Sequence, residues 1–290
     1  MPVALVTGAL GFIGRSLVPA LGAAGWDLVT VDRRAPADRG GARWVVADLE
    51  REPVRERADV VVHLACPTRE RMAGDPQAPV ALAAMDAGVL EAARNARLTI
   101  LAGSASIYGD GLAAGVRADE LADVKPAGPY GRAKLEQEGR WRAALPPERL
   151  LVVRLFNLTG PGEPPALVSR AIAERLRAAP PGSAVPVKRS ASVRDFLDIR
   201  DAVEALAGLA RSTTPGTVNV CSGAGVTIAS VADTLLRVSR RPVAIAPDGQ
   251  GGESRSVGDP TLLRSLLDRR PRYTLEDSLR TVWAETAAGN

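Results

Sequence analysis

The stretch Val3-Ala4-Leu5-Val6-Thr7-Gly8-Ala9-Leu10-Gly11-Phe12-Ile13-Gly14 constrains the fold of this chain more than any other. An apolar run ends in a glycine-rich turn that opens directly into a helical pattern, which predicts strand, loop and helix in immediate succession. Parallel strands buried on both faces are near-continuous apolar runs, and Ala4 to Val6 fits one. The glycines have separable tasks. Gly8 permits the tight turn, Gly11 lets backbone N–H groups approach a pyrophosphate, and Gly14 lets the helix pack closely on the strand. The helix start then offers free N–H donors and the positive end of a dipole to phosphates. A second apolar segment, Leu28-Val29-Thr30-Val31, ends in Asp32, at the distance where an acidic side chain meets an adenosine ribose. Glycines alone occur in ordinary turns; in this context they predict a dinucleotide site on a doubly wound α/β sheet.

Composition narrows the remaining classes. A chain of 290 residues, 46% of them hydrophobic, has the size for one α/β unit with a second, smaller lobe. The net charge of +4 comes from arginines scattered beside Glu and Asp, and aromatic residues are only 3%, so a solvated surface is expected and a nucleic-acid partner is not. No apolar run approaches the length of a membrane-spanning helix, and the N-terminus carries no charged segment ahead of a cleavable apolar one. Cys66 and Cys221 are far apart and of strand type, which suits reduced thiols in the cytoplasm. The single histidine, His63, lies in the apolar segment Asp59–Ala65. It is expected at a strand end with a satisfied hydrogen bond, so neither a metal site nor a Ser-His-Asp triad is expected.

Along the chain, the first helix is expected to stop at Ala24 and Gly25, and a third strand, Trp44–Ala47, to end at Asp48-Leu49. The fourth strand ends His63-Leu64-Ala65-Cys66. An alanine-rich helix follows over Pro76–Arg94, and a fifth strand, Leu98–Ala102, leads into Gly103-Ser104-Ala105-Ser106-Ile107-Tyr108-Gly109. Hydroxyls at the carboxyl end of a parallel strand lie where open α/β sheets bind ligands. A helix from Pro129 through Trp141 carries Tyr130 and Lys134, four residues apart and on one face, close enough for the ammonium to act on the phenol. Lysine occurs only at 125, 134 and 188 and tyrosine only at 108, 130 and 273, so this pairing has little chance of arising by accident. A sixth strand is expected over Leu150–Asn157, ahead of Gly160-Pro161-Gly162.

These motifs together resemble the extended short-chain dehydrogenase/reductase (SDR) family, the NAD-dependent epimerase/dehydratase group. The likeness rests on Thr7-Gly8-x-x-Gly11-Phe12-Ile13-Gly14, Ser104 four residues before Tyr108-Gly109, Tyr130-x-x-x-Lys134, Arg154-x-Phe156-Asn157 and Arg194-Asp195-Phe196. It covers nearly the whole chain, and the C-terminal half, with Gly216–Gly223 and Val257–Pro260, resembles GDP-4-keto-6-deoxymannose reductases. The resemblance implies a Rossmann-type parallel sheet over 1–160, with 185–215 returning to it, and a smaller α/β substrate-binding lobe over 161–184 and 216–290. It implies an enzyme with Ser104, Tyr130 and Lys134 as catalytic residues. The cofactor would be held by Gly8, Leu10, Gly11, Phe12, Ile13 and Gly14, by Asp32 and Arg33 at the adenosine ribose, by Asp48 and Leu49 at the adenine, and by Leu64, Ala65 and Cys66 beneath it. Tyr130, Lys134 and Phe156 would sit at its nicotinamide end. Asp32 favours NAD, whereas Arg33 and Arg34 leave NADP as the alternative. Ser104, Ser106, Asn157, Arg194 and Arg255 would contact a small-molecule substrate; for Arg194, an ion pair with a nearby carboxylate is the equal alternative. A homodimer through the Pro76–Arg94 helix and the Lys134 helix is also implied.

Three departures from the family pattern bear on the reaction. Leu82 and its neighbours stand where the family has Asn-Val-x-Gly-Thr, so no relay Asn is expected. The family's diphosphate-binding Arg falls near Gly249, inside a segment (Gly249-Gln250-Gly251-Gly252) read as a flexible loop, with Arg255 nearby to replace it. Ala105 and Ser106 occupy the positions where sugar dehydratases carry Asp-Glu, which disfavours dehydration. What is left is hydride transfer to or from a keto or hydroxy carbon of a nucleotide sugar or related metabolite. A ketoreductase is favoured and a C4 epimerase is the alternative. A non-catalytic dinucleotide-binding regulator is the rival class, opposed by the retention of Ser104, Tyr130 and Lys134 together.

Overall fold

The computed structural model describes residues 1–38, 40–247 and 254–288, so the expected loop at 249–252 lies outside the described residues. The chain begins with β1 (Val3–Thr7), α1 (Phe12–Ala23), β2 (Asp27–Asp32), β3 (Arg43–Val46) and β4 (Val60–His63). There follow α2 (Arg69–Gly74), α3 (Ala78–Asn95), β5 (Leu98–Ser104), one helical turn over Ala105–Tyr108, α4 (Pro129–Ala144) and β6 (Leu150–Leu155). Next come β7 (Asn157–Thr159), α5 (Val168–Ala178), β8 (Ala184–Val187), β9 (Val193–Asp198), α6 (Ile199–Arg211) and β10 (Gly216–Val220). The chain closes with β11 (Gly225–Thr227), α7 (Ile228–Ser239), β12 (Ala244–Pro247), β13 (Arg255–Ser256), α8 (Thr261–Leu267) and α9 (Leu275–Ala288). No helix among the described residues is long and apolar enough to cross a membrane.

Two compact units divide these elements. The first takes Met1–Gly109, Ala122–Leu155 and Val203–Val220; the second takes Asp110–Leu121, Phe156–Ala202 and Cys221 onward. In the first unit seven parallel strands run in the order β10-β6-β5-β4-β1-β2-β3, the doubly wound arrangement that the apolar runs predict. Leu5, Val61, Ile100, Leu101 and Val152 are at most 1% exposed because helices cover both faces of the sheet. Strand order reverses beside β1, which pairs with β2 on one side and β4 on the other. The pairing of Thr7 with both Val31 and His63 brings the carboxyl ends of these strands level, and Ser104 closes β5 opposite Leu155.

One expected element is split. The run Leu150–Asn157 leaves strand geometry at Phe156, because β6 pairs with β5 and β10 whereas Asn157 starts β7 and pairs with Phe196 of β9. An apolar run can feed two strands in different sheets, and periodicity alone does not show the break. In the second unit, β9 lies between β7, β11 and β13, and a separate parallel pair joins β8 to β12. Its core gathers Ile172, Leu176, Phe196, Val231, Leu235, Leu279 and Val282.

Close backbone approach at one glycine seats α1. A Cβ on Gly14 would stand 2.3 Å from the Gly8 carbonyl oxygen and 2.7 Å from Ala9 backbone carbon, so no larger residue fits without moving the loop. Gly139 of α4 is the contrast, since a Cβ there meets nothing within 4 Å. Gly14→Ala is therefore expected to lower the stability measured by urea unfolding by about 1–3 kcal/mol. Gly139→Ala should raise it by about 0.5–1 kcal/mol through helix propensity. Equal stability of Gly14→Ala and wild type would contradict the seating of α1.

Candidate active site

At the carboxyl end of β1 the loop and its neighbours form a cavity of about 680 Å³, within the usual range for small-molecule sites. It is lined by Gly8, Leu10 and Gly11, by Asp32, Arg33 and Arg34, by Asp48 and Leu49, and by Leu64, Ala65 and Cys66. Gly8 adopts a positive φ of 66°, and a Cβ on it would lie 2.9 Å from the Ala65 nitrogen, so only glycine lets the loop lie against the Leu64–Ala65 strap. Buried Thr7 holds the strap in place: its Oγ1 accepts from the N–H groups of Leu64 and Ala65, each at 3.2 Å. Gly11 caps α1 without any side-chain hydrogen bond, which leaves the first-turn N–H groups of Phe12, Ile13 and Gly14 for an anion. These three residues begin the helix and are not among the residues lining the cavity.

The Asp32 carboxylate is fixed by Leu10 N–H at 2.9 Å and Arg33 N–H at 2.8 Å, one on each oxygen. Each oxygen keeps a lone pair for a ribose hydroxyl. Asp48 turns the chain after β3, its carboxylate accepting from Glu50 N–H at 3.2 Å, which presents half-buried Asp48 and buried Leu49 to the cavity. Helix α3 comes close behind them, since a Cβ on Gly88 would lie 2.8 Å from the Leu49 oxygen. Leu82 is fully buried, packed with Met72, Ala78 and Ala133, and it is Met85, one turn further, that lines the cavity. A cradle that a Cβ would fill, an uncapped helix start and a carboxylate at the strand end fit a dinucleotide.

Ser104, Ser106, Tyr130 and Lys134 are gathered at the carboxyl end of β5. Gly131 makes this possible: a Cβ there would lie 2.6 Å from the Ser106 carbonyl oxygen, so the first turn of α4 rests directly on the turn after β5. Ser104 Oγ accepts from Ser106 N–H and donates to Ser106 Oγ, both at 3.2 Å. Lys134 is 3% exposed, with Nζ 6.0 Å from the Tyr130 ring centroid. Its ammonium donates to the Ala102 carbonyl at 2.8 Å and to Gln137 Oε1 at 2.9 Å. Burial pushes that ammonium towards losing its proton; the neighbouring Cys66 and Tyr130 and the Asp86 carboxylate outweigh it and hold the pKa above the ordinary lysine value.

Sequence reasoning missed three residues here. Arg69, exposed at the start of α2, stacks its guanidinium 4.6 Å over the Tyr130 ring and donates to Ser106 Oγ at 2.7 Å. Buried Asp86 and Gln137 stand behind Lys134. Position just beyond a parallel strand was the only signal for Arg69; Asp86 and Gln137 gave none, because their partners are distant in sequence. His63 is satisfied on both sides, Nδ1 against Thr7 Oγ1 at 2.7 Å and Nε2 against Asp86 at 3.3 Å. Thr7 Oγ1 already accepts two N–H groups, so the assignment that satisfies every atom has Thr7 donating to Nδ1 and Nε2–H donating to Asp86.

Phe156, Asn157, Arg194 and Arg255 belong to the second unit. Buried Phe156 packs against Gly258, and Asn157 donates to the Asp195 carbonyl at 3.0 Å. Arg194 donates to the carbonyls of Val193 and Ser254 and to Ser254 Oγ, with Asp110 at 3.4 Å as its ion-pair partner. Arg255 lines a second cavity, about 560 Å³, together with Arg117, Gly223, Gly225 and Asp259. Its buried Nε has no hydrogen-bond partner among the described residues. No cluster of metal-ligating side chains occurs among them either.

The NAD dependent epimerase/dehydratase family model matches residues 4–221. The chain is 32% identical to a dTDP-6-deoxy-L-talose 4-dehydrogenase (NAD(P)(+)) of Kitasatospora kifunensis, over 96% of this chain and 93% of that protein. It is 28% identical to the GDP-6-deoxy-D-mannose reductase of Pseudomonas aeruginosa, over 97% and 95%. Among solved structures, a UDP-glucose 4-epimerase of Thermus thermophilus in complex with NAD shares the fold with a TM-score of 0.84 over 99% of each chain, at 24% identity. A family model over three quarters of the chain and a relative alike along nearly its full length place this protein in the NAD-dependent epimerase/dehydratase family, as an NAD(P)-dependent extended SDR enzyme of the oxidoreductase and epimerase type.

Proposed function

We propose that this protein is a ketoreductase that interconverts a keto carbon and its secondary alcohol on a nucleotide sugar or a closely related carbonyl compound. The observation that carries the reading is the Lys134 ammonium, buried and hydrogen-bonded beside Tyr130 at the end of β5. A bound nicotinamide supplies the hydride that no side chain can. Everything else belongs to the chain. Ser104 Oγ orients the substrate oxygen, and Tyr130 gives that oxygen its proton in reduction or takes it in oxidation. Lys134 lowers the cost of the phenolate through which Tyr130 passes, and also holds the nicotinamide ribose. The cofactor is held by the cavity residues Gly8, Leu10, Gly11, Asp32, Arg33, Asp48, Leu49, Leu64, Ala65 and Cys66, with the first turn of α1 on the pyrophosphate.

Three observations favour plain hydride transfer over chemistry needing a further acid or base. Ala105 and Ser106 offer no carboxyl to remove water. His63 has both nitrogens engaged. The Cys221 thiol is 1% exposed, and burial pushes its pKa far up, which leaves it inert. The relatives act, by name, on dTDP-, GDP- and UDP-linked sugars, and Arg255 with Arg117 in the second unit supplies cationic groups suited to such a diphosphate. We further propose a homodimer through α3 and α4, where small side chains such as half-buried Ala84 and exposed Ala87 of α3 would let a second helix approach. The free Cys66 and Cys221 suit a cytoplasmic setting.

Purified protein given reduced cofactor and a panel of 4-keto nucleotide sugars is expected to consume that cofactor, with Tyr130→Phe lowering kcat by about 10²–10⁴-fold and leaving cofactor Kd within about threefold. Substantial turnover by Tyr130→Phe would remove the role given to Tyr130. Interconversion of two stereoisomers with no net cofactor use would assign the C4 epimerase instead.

The cofactor end of the cavity yields a second expectation. Asp32 accepts from a ribose 2′-OH and repels a 2′-phosphate, so NAD(H) should bind more tightly than NADP(H) by titration. Asp32→Ser leaves Arg33 and Arg34 in place and should shift the ratio of the two affinities towards NADP(H) by about tenfold or more, some 1.4 kcal/mol. Tighter NADP(H) binding by the wild type would show that the arginines dominate.

A further inference from the structure

Lys134 is tied to a hydrogen-bonded chain that hydride transfer does not itself require. The Gln137 side chain bridges two charges: its Oε1 accepts from Lys134 Nζ at 2.9 Å and its Nε2 donates to Asp86 Oδ1 at 2.7 Å. The Asp86 carboxylate, 3% exposed on α3, also takes Trp141 Nε1 at 2.8 Å and His63 Nε2 at 3.3 Å on the same oxygen. Its other oxygen takes Arg140 Nε at 3.1 Å and Nη2 at 2.7 Å. An ammonium only donates and a carboxylate only accepts, so an amide between them has one orientation that satisfies both. Asp86 thereby turns the Gln137 carbonyl towards Lys134. The Ala102 carbonyl takes a second ammonium proton.

We propose that Gln137 and Asp86 are positioning residues: Asp86 orients Gln137, and Gln137 holds Lys134 in place as an ammonium. The groups around Lys134 are Tyr130 and Gln137 of its own helix, the Ala102 carbonyl of β5, Cys66 after β4 and Asp86 of α3. Those around Asp86 are His63 of β4 and Gln137, Arg140 and Trp141 of α4. Of these, Gln137 alone touches both Lys134 and Asp86 without carrying a charge. Replacing it with methionine removes the acceptor and keeps the volume, so the site's net charge is unchanged and burial acts on the ammonium unopposed at that point. The neutral form of Lys134 then gains, and its support for the Tyr130 phenolate falls. The inference rests on the roles given above to Tyr130 and Lys134, but its test needs no substrate.

The chain's three lysines make the test direct. Full-length protein labelled with ¹³C at lysine Cε gives three signals, and the Lys134 signal is the one lost in Lys134→Arg. In the wild type that signal should keep its charged shift to a higher pH than in Gln137→Met, with the variant's midpoint lower by about one pH unit or more, a tenfold fall in the ammonium-to-amine ratio at a given pH. Asp86→Asn, which lets the Gln137 amide turn over, should move the same signal in the same direction. Lys125 and Lys188, both exposed, should not move. If Asp86→Asn does not fold, Gln137→Met decides the question alone, its melting temperature serving as the control for folding. A Lys134 midpoint less than about one unit from wild type in folded Gln137→Met would overturn the proposal, whatever reaction the enzyme catalyses.

Discussion

A charged amine out of water is costly unless every donor finds a partner, and the burial of Lys134 is the constraint on which the rest of the site depends. The carbonyl of Ala102 and the amide of Gln137 take two of those donors, with Cys66 close by, and all three must be brought to one point. Parallel strands of level ends deliver Ala102 and Cys66, and α4 delivers Gln137. The helix can come close enough only because Gly131 has no side chain where it meets the Ser106 carbonyl. The same helix buries Glu138, which binds Arg154 of β6 through Nε at 3.2 Å and Nη2 at 2.9 Å. Arg154 passes the constraint to Tyr108 and on to Asn219 of β10, at 2.8 Å each. Two sets of buried polar contacts, one through Lys134 and Gln137 and one through Glu138 and Arg154, thus hang on the helix that carries Tyr130. Breaking one partner of such a network leaves a buried charge unpaired, so its members act on the site together.

The cofactor cavity follows from a second constraint of the same kind. Thr7 must satisfy two strap N–H groups and His63 at once, which pins Leu64 and Ala65 against Gly8 and fixes the wall of the cavity. His63 in turn reaches Asp86, so the strap beneath the cavity and the support of Lys134 share one carboxylate. Asp86 is held below the usual carboxylate range; burial would raise it, but the hydrogen bonds from His63, Gln137 and Trp141 outweigh that. A carboxylate kept ionised at this point favours an ionised lysine beyond it.

Much of this was legible in the sequence, for physical reasons that differ by feature. Glycine spacing after an apolar run reads as a phosphate loop because few residues tolerate the close approaches seen at Gly8 and Gly14. Tyr130 and Lys134 could be paired because helical periodicity fixes which side chains share a face. What could not be read was contact between residues far apart in the chain. Gln137 and Asp86 are separated by 51 positions, and Arg69 and Ser106 by 37, with no periodicity linking them. The break of the sixth strand at Phe156 was hidden for a related reason, since periodicity in Leu150–Asn157 is the same whichever sheet receives each part. Leu82 and Met85 are both apolar and on one helix; only packing shows that the first faces Ala133 and the second faces the cavity.

The central claim is that hydride passes to a substrate carbon while Tyr130 passes a proton to the substrate oxygen. Reduction of a 4-keto nucleotide sugar with cofactor deuterated at the transferring carbon, in ordinary water, measures this most directly. The account predicts deuterium on the new carbinol carbon of the product, and, with unlabelled cofactor in D2O, no carbon-bound deuterium at that position. Carbon-bound deuterium taken from solvent, with none from the cofactor, would mean protonation of a carbanion in place of hydride transfer and would contradict the account.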